Sequence, residues 1–257
     1  MPHIPLSASQ EFRGRSKAGL YGDVVEEIDW STGRILNTLR DLGLEDQTLV
    51  VFTSDNGPAP SLGLRFQGGS TGPFRGRKHT VWEGGLRVPC IMRWPRHLPA
   101  GVIEKGVATL MDFFPTLIES AEGAIPSDRP IDGYNILPLL QGKQSSPYSA
   151  FYYFSGANIL AVRSGPWKLH LTRQDPGAND DGQGRLSAVQ LYNLEQDPSE
   201  RNDLARSHPE IAARLKAQTE VFRSGTQPGI LIPPWRWLTS AFEIKGRIAP
   251  GSSHNRP

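Results

Sequence analysis

The stretch Thr48-Leu49-Val50-Val51-Phe52-Thr53-Ser54-Asp55-Asn56-Gly57-Pro58 decides the fold of this 257-residue chain. Its β-branched and apolar residues form a run too short for a helix, which predicts a strand buried on both faces, as in parallel sheets. Ligands of open α/β sheets bind beyond the carboxyl ends of strands, so Asp55 and Asn56 are candidate ligands of Ca²⁺ or Mg²⁺, which prefer hard oxygens. Asp-Asn-Gly-Pro is equally typical of a plain turn, and the residues alone leave both interpretations open.

Composition and charge exclude several classes of protein. The formal net charge of +2 gives no reason to expect nucleic acid or an anionic membrane as the main partner. No apolar run is long enough to span a bilayer, and residues 1–5 lack the basic and apolar regions of a signal peptide. The single cysteine, Cys90, excludes an internal disulfide, and its apolar neighbours predict a packed thiol in a buried strand.

A long amphipathic helix is predicted before the first strand. Apolar residues recur at helical spacing from Leu20 to Leu42, and charged residues between them, such as Asp23, are expected to face water. Gly43 supplies a stop signal at the carboxyl end. Because a helix that leads through a short loop into a buried strand is half of a βαβ unit, the pattern favours a parallel sheet.

A glycine-rich loop with a basic cluster follows the first strand. Arg75, Arg77, Lys78 and His79 fall within five residues, which makes a compact place to hold an oxyanion. A solvated surface cluster would have the same composition. The cluster is followed by Trp82 and a Glu-Gly-Gly turn that lead into another predicted strand, and a loop tethered between two core strands more often carries function.

Six sequence motifs occur in order along the chain. They are Pro2-His3-Ile4-Pro5, Thr53-Ser54-Asp55-Asn56-Gly57-Pro58, Gly76-Arg77-Lys78-His79-Thr80-Val81-Trp82-Glu83-Gly84-Gly85-Leu86-Arg87-Val88-Pro89, Asp112-Phe113-Phe114-Pro115-Thr116-Leu117, Asp132-Gly133-Tyr134-Asn135 and Leu191-Tyr192-Asn193-Leu194-Glu195-Gln196-Asp197-Pro198. Together these motifs closely resemble the sulfatases of the arylsulfatase type. The resemblance covers nearly the whole chain up to about residue 224, and it is the ordered set, more than any one motif, that is specific.

This resemblance implies a site and its chemistry. Members of the family hydrolyse sulfate esters with a formylglycine nucleophile beside a bound Ca²⁺, which is favoured here over Mg²⁺. Carried over by position, Asp55 and Asn56 resemble metal ligands, and Lys78 and His3 resemble the catalytic residues that contact the sulfate. From its sequence alone, His3 is a loop residue between two prolines and would be solvated. The implied substrate is a sulfated small molecule or carbohydrate.

The chain also departs from the family pattern. It contains no Cys-x-Pro-x-Arg, the motif in which the formylglycine arises, and it lacks the early aspartate pair that completes the metal site. We therefore expect the C-terminal portion of a sulfatase, truncated or split from its first half, with the formylglycine supplied by that missing part. Family members are often exported or lysosomal, but the chain itself assigns no compartment.

The resemblance implies a fold and a domain division. The fold class expected is α/β: part of an alkaline-phosphatase-like sheet with flanking helices, followed by a small α+β domain with a short antiparallel sheet. The expected divisions are residues 1–145 for the α/β part, 146–224 for the small domain and 225–257 for a Pro-rich tail.

The residues after about 105 predict further elements. Helices are predicted within 105–123, at 136–140 and at about 209–222, the last with Val221 on its apolar side. An aromatic strand, 150–154, precedes two strands joined at Gly165-Pro166. His170 alternates with leucines and is expected on the opposite face, where it could contact a substrate. A polar loop is predicted at 175–184.

Three functions are consistent with these residues. The first is sulfate ester hydrolysis, with this chain carrying part of the site and inactive alone. The second is a non-catalytic sulfatase-like remnant or one half of a split enzyme. The third is a phosphate or phosphonate ester hydrolase of the same superfamily, against which the lysine loop and the Trp-Glu-Gly-Gly turn argue.

Overall fold

The computed structural model describes residues 2–3, 5–59, 69–171 and 189–225. The predicted polar loop at 175–184 and the Pro-rich tail beyond Gly225 lie outside the described residues. The helices and strands are α1 (Gly19–Asp41), β1 (Val50–Thr53), α2 (Glu83–Leu86), β2 (Cys90–Arg93), α3 (Phe113–Ser120), α4 (Leu137–Leu140), β3 (Phe151–Ser155), β4 (Asn158–Ser164), β5 (Trp167–His170), β6 (Gln190–Asn193) and α5 (Pro209–Gly225).

The first helix forms where its apolar periodicity predicts it, but Asp23 does not face water. Asp23 is buried, and its two carboxylate oxygens accept hydrogen bonds from the backbone amides of Gly14 and Ser16 at 2.9 and 2.8 Å. The bonds from Ser16 and Gly14 hold the pKa of Asp23 below its usual value. The carboxylate thereby fastens the N-terminal segment to α1, and Phe12 of that segment packs against Val24.

The first sheet differs from the parallel arrangement predicted. β1 and β2 pair antiparallel, with Phe52 opposite Ile91 and Thr53 opposite Cys90. The connection from β1 to β2 contains α2, a helix of four residues. Parallel strands need a crossover connection that returns the chain to the starting end, usually a full helix, and α2 is the only helix in the described part of this connection. The chain therefore returns beside β1 in the opposite direction.

The burial predicted for this sheet is also wrong. None of the residues of β1 or β2 is buried, and Phe52 and Ile91 expose 38% and 64% of their surface. The Cys90 thiol is exposed, although the sequence predicts a packed one. The apolar residues of a segment predict a buried strand, but the strand is buried only where other elements of the structure pack on it.

The helix predicted within 105–123 is shorter than expected. A 3₁₀ turn, Leu110–Asp112, leads into α3, and Thr109 and Asp112 form a capping box at its start. Pro115 is the third residue of α3, where its missing N–H breaks no intrahelical bond. Phe114 and Leu117 on this helix are about half exposed, as are residues of the first sheet.

The C-terminal part forms a four-stranded antiparallel sheet in the order β3-β4-β5-β6. The predicted strands appear, and the turn at Gly165 has the positive φ of 57° that glycine adopts readily. β6, whose residues belong to one of the family motifs, was not predicted as a strand. Its four residues carry too few alternations to distinguish it from a loop.

Both faces of this second sheet are covered. On one face, Val162, Leu169 and Leu191 pack against Leu215 of α5. Val221, predicted on the apolar side of α5, is instead 72% exposed. On the other face, Leu160 and its neighbours pack against Val81, which lies in the loop between β1 and β2. This packing attaches the loop to the C-terminal sheet. In the part of the chain that the structure describes, no helix combines the length and apolarity that crossing a membrane requires.

Candidate active site

The turn after β1 carries the two predicted metal ligands. In this strand-end turn, residues 54–58, the Asp55 side chain is exposed and Asn56 is half-buried. The Asn56 side-chain amide donates to the Gly57 carbonyl oxygen at 2.9 Å. Because the Nδ2 group makes this bond, the Oδ1 atom of Asn56 remains available as an acceptor or metal ligand. The turn thus presents a carboxylate and an amide oxygen next to each other in the sequence.

The second candidate segment is the lysine loop, residues 75–85. Lys78 is half-buried within it, and its neighbour His79 adopts a φ of 72°, which is uncommon for a residue with a side chain. The Thr80 hydroxyl donates to the Arg77 carbonyl oxygen at 2.7 Å and closes a tight turn around Lys78. This local bond sets the backbone conformation from which the lysine side chain projects.

The lysine loop and the strand-end turn are joined through their backbones. The Gly57 amide donates to the Gly85 carbonyl oxygen at 2.9 Å, and the Lys78 amide donates to the Pro58 carbonyl oxygen at 3.0 Å. A Cβ atom at Gly57 would lie 1.9 Å from the Gly84 carbonyl oxygen. Only glycine therefore permits this approach, and the segment bearing Asp55 and Asn56 lies directly against the segment bearing Lys78.

His3 takes no part in these backbone bonds. It is exposed, and the segment that follows it is fastened to α1, where the Ser9 amide donates to Glu27 Oε2 at 2.9 Å. The structure thus brings the Lys78 segment and the Asp55 segment together by backbone contacts that do not include His3.

The predicted cluster of four basic side chains is divided in the structure. Arg75 turns inward, where its guanidinium lies 3.9 Å from the centroid of the Trp82 ring and donates to the Glu200 carbonyl oxygen at 2.9 Å. Arg77 and His79 are exposed beside Lys78. Arg75 therefore has a structural role, which its position in the sequence did not reveal.

A buried ionic network lies behind the lysine loop, and sequence reasoning missed it. Lys168 of β5 bonds through Nζ to the Val81 carbonyl oxygen at 2.7 Å, to Glu83 Oε1 at 2.9 Å and to Glu200 Oε1 at 3.0 Å. An ammonium has three N–H donors, so all of them are satisfied. His170 Nε2 lies 2.8 Å from the same Glu200 oxygen. We call Glu83, Lys168, His170 and Glu200 the buried network.

The prediction that His170 could contact a substrate is wrong. Its ring is fully buried between Glu200 and the Trp82 ring, whose centroid is 4.3 Å away, so it cannot reach a substrate in solvent. The alternation of β5 placed His170 opposite Leu169, as the sequence indicates, but that face is covered by the lysine loop. Two signals were present in the sequence: Glu83, a charged residue between apolar and small neighbours, and Lys168, a charged residue between Trp167 and Leu169 in a predicted strand.

Burial decides which groups of the network are charged. Burial lowers the pKa of His170 to about 4, against the opposing effect of the bond to Glu200, so the ring is neutral at pH 7. Burial alone would raise the pKa of Glu200, but the bond to His170 and the charge of Lys168 together hold it below its usual value. A neutral His170 donates Nε2–H to Glu200, and Nδ1 has no partner within the described ranges.

Arginines offset the excess negative charge of the network. The network has two carboxylates and one ammonium, and Arg163 Nη1 and Arg87 Nη1 each lie 3.8 Å from Glu83 Oε2. Burial and the charge of Glu83 raise the pKa of Tyr153 far above its usual value, so its phenol stays protonated and donates to Glu83 Oε1 at 3.1 Å. Buried charges are tolerated when they are paired and bonded in this way.

No complete metal site is present among the residues that the structure describes. They contain no group of three or more His, Cys, Asp or Glu side chains that could hold an ion. Asp55 and Asn56 offer two hard oxygens, which fit a part of the six to eight that Ca²⁺ takes. Oxygen ligands of this kind suit a hard cation, but two of them do not complete its coordination.

Comparison with known proteins agrees with this architecture. A family model described as Sulfatase matches residues 1–124, and one described as the C-terminal region of aryl-sulfatase matches residues 146–229. The chain is 26% identical to a sulfatase from Pseudoalteromonas sp. of known structure, with a TM-score of 0.76 over 88% of this chain and 48% of that one. A phosphonate monoester hydrolase of Agrobacterium radiobacter, at 22% identity and a TM-score of 0.55, shares the fold alone.

Curated relatives specify the family further. Steryl-sulfatase of Mus musculus is 39% identical over 88% of this chain, and N-acetylgalactosamine-6-sulfatase of Homo sapiens is 38% identical over 95%. The fold is that of the alkaline-phosphatase-like superfamily. Within it, the chain belongs to the sulfatase family, of the arylsulfatase type. The chain spans 40% and 52% of the length of these two relatives, about half.

The glycine contact yields a first prediction. Gly57→Ala should cost roughly 1–3 kcal/mol of unfolding free energy, because the new methyl group cannot coexist with the Gly84 carbonyl oxygen in its present place. Gly33→Ala is the control, since a Cβ there meets no atom within 4 Å inside α1. That control should stabilise the protein by up to about 1 kcal/mol. Urea unfolding measures both, and equal effects at the two glycines would contradict the contact.

The buried histidine yields a prediction for pH. The folded-state pKa of about 4 lies below the ordinary value of 6.5, so only the unfolded chain gains this proton as the pH falls from 7 to 5. Stability should therefore fall with pH in this window, by roughly 2 kcal/mol from this group. Urea unfolding at several pH values should show a smaller decrease for His170→Asn than for the wild-type chain. Parallel curves would show that His170 does not titrate as its burial implies.

Proposed function

We propose that this chain is the C-terminal part of a sulfate ester hydrolase and holds part of its active site. Asp55 and Asn56 are two of the metal ligands, Lys78 contacts the sulfate and the nucleophile, and His3 contacts the sulfate. The observation that supports this most directly is the pair of backbone bonds, Gly57 to Gly85 and Lys78 to Pro58. They put the segment with hard oxygens beside the segment with the ammonium group.

The residue types suit the chemistry of sulfate ester cleavage. A sulfate ester carries one negative charge and develops more on its leaving oxygen, so the Lys78 ammonium, aimed at the sulfuryl oxygens, stabilises the transition state more than the ground state. His3 would serve as a further hydrogen-bond donor to the sulfate. A bound Ca²⁺, held in part by Asp55 and Asn56, supplies charge that polarises the sulfuryl group.

The nucleophile and the other metal ligands come from the rest of the sulfatase domain in this proposal. The sequence contains no Cys-x-Pro-x-Arg, and the relatives it matches are about twice as long. The exposed apolar surface of the first sheet, with Phe52 and Ile91 at adjacent positions, is consistent with cover by further parts of that domain. A two-stranded sheet is marginally stable by itself and gains from additional strands or helices.

The substrate proposed is a sulfated small molecule or carbohydrate. Steryl-sulfatase and N-acetylgalactosamine-6-sulfatase are similar to this chain to nearly the same extent, at 39% and 38% identity. Their names refer to a steroid and to an amino sugar. The reacting group that they share is the sulfate ester, so the proposal is confined to that class.

The first test of this function is turnover. The chain alone, assayed with a chromogenic aryl sulfate with and without Ca²⁺, should show no turnover because it has no nucleophile. Together with an N-terminal sulfatase half that carries a formylglycine, it should become active. Lys78→Ala should then lower kcat by about 10²–10³-fold, as expected for loss of one electrostatic donor.

Arg77→Ala is the matched control, since it removes one exposed positive charge next to Lys78 and should retain most of the activity. Turnover by the chain alone that Lys78→Ala abolishes would refute the assignment of the nucleophile to another segment. Failure of every reconstituted pair would favour a non-catalytic remnant, and cleavage of an aryl phosphate in place of the sulfate would favour the phosphatase alternative.

The second test concerns the metal. With only Asp55 and Asn56 as ligands, Ca²⁺ should bind the chain with a Kd of about 10⁻³ M or weaker, because Ca²⁺ normally takes at least about six oxygens. Asp55→Asn should weaken binding further by removing the one charged ligand. Titration calorimetry measures both, and tight stoichiometric binding unaffected by Asp55→Asn would place the cation elsewhere.

A further inference from the structure

The C-terminal sheet reaches the lysine loop through the buried network. Lys168 lies on β5 and contacts three acceptors, of which the Val81 carbonyl oxygen and Glu83 belong to the loop. Glu200 Oε2 accepts the backbone amide of Glu83 at 2.8 Å, and Arg75 donates to the Glu200 carbonyl oxygen. Residues of the small domain therefore hold both ends of the loop, at residue 75 and at residues 81–83.

Glu200 makes these contacts with the lysine loop from an unfavourable backbone conformation. It adopts a φ of 52°, a left-handed conformation that is uncommon for a residue with a side chain, and it is fully buried. Such conformations persist when the surroundings fix them. Here the surroundings are Lys168, His170, Arg75 and the amide of Glu83, so each polar atom of Glu200 that faces the loop is used.

The contacts of Lys168 and Glu200 also restrict the rest of the lysine loop, because the backbone packs closely around its glycines. A Cβ atom at Gly85 would lie 2.2 Å from the Thr80 carbonyl oxygen, and one at Gly84 would lie 2.6 Å from the Arg75 carbonyl oxygen. The Gly84 amide also donates to that Arg75 oxygen at 2.7 Å. A displacement of residues 81–83 would therefore move Gly84 and Gly85, and with them the bond to Gly57.

We propose that Lys168 and Glu200 are positioning residues of the active site, acting from the small C-terminal domain through Glu83 and the glycine contacts on Lys78 and the strand-end turn. The catalytic part of this inference rests on the proposed function. The coupling between the buried network and the lysine loop can be tested without measuring turnover. The small domain then has a role beyond stability, since it fixes the two loops on which the reaction depends.

Hydrogen exchange tests the coupling on the full chain. Lys168→Met removes the ammonium from between two buried carboxylates and should raise the exchange rates of the Gly57, Lys78 and Gly84 amides by at least about tenfold through local opening. Leu215→Ala is the control, because it weakens the core between the second sheet and α5 without touching the lysine loop. In that variant these three amides should exchange at the wild-type rate or follow the global stability alone.

Loss of a buried partner can unfold a protein, so Glu200→Gln provides a milder second variant. It keeps the shape of the side chain and removes its charge, and it should accelerate exchange at the same three amides to a smaller extent. The inference is overturned if, in whichever of the two variants folds, these amides exchange no faster than in a Leu215→Ala chain of equal stability.

Kinetics of the reconstituted enzyme separates this inference from the proposed function. Both variants should lower kcat by at least about tenfold with little change in KM, because misplacing the charged groups affects the transition state most. Faster exchange without any turnover in the wild-type pair would support the coupling and refute the function. Full turnover with unchanged kcat and unchanged exchange in the variants would support the function and refute the coupling.

Discussion

The arrangement of this molecule depends on one close backbone contact, between Gly57 in the turn after β1 and Gly84 and Gly85 in the lysine loop. The Gly57 amide bonds to the Gly85 carbonyl oxygen, and a Cβ atom at Gly57 would overlap the neighbouring Gly84 oxygen. Two segments that are distant in sequence are thereby fixed side by side. The hard oxygens of Asp55 and the ammonium of Lys78 belong to those two segments.

A second constraint acts on the same loop from its other side. Lys168 and Glu200 belong to the C-terminal part of the chain, yet they bind the backbone and the carboxylate of the loop in a setting without solvent. The two carboxylates of the network are balanced by Lys168 and by the nearby Arg163. Removal of one partner would leave a buried charge uncompensated, which costs more than the pair contributes.

The distribution of apolar surface divides the structure in two. The C-terminal sheet is covered on both faces, by α5 and by the lysine loop, and the sheet and its two covers together contain most of the buried hydrophobic side chains described. The first sheet has no buried residue, and α3 exposes Phe114 and Leu117. Since the relatives are about twice as long as this chain, the proposed function assigns cover of these surfaces to the remainder of a sulfatase domain.

Local sequence predicted most elements, because periodicity and turn residues act over a few positions. The bounds of α1 and the strands β3 to β5 follow from such signals. The pairing of β1 with β2, the exposure of Cys90 and the burial of Asp23 do not, because each depends on which distant segment lies alongside. The roles of Lys78 and His3 come from the family resemblance, those of Asp55 and Asn56 come also from their place after a strand, and all four stay predictions.

The sequence by itself determined the family and the order of most elements, and it named the residues that are predicted to bind a cation and a sulfate. Only the tertiary structure decided that His170 is buried, that Arg75 turns away from Lys78, and that Lys168 joins the second sheet to the lysine loop. The physical reason is that a side chain's charge and accessibility are set by its neighbours in space. Arg75 and Glu200, for example, are neighbours in space although they lie 125 positions apart in the chain.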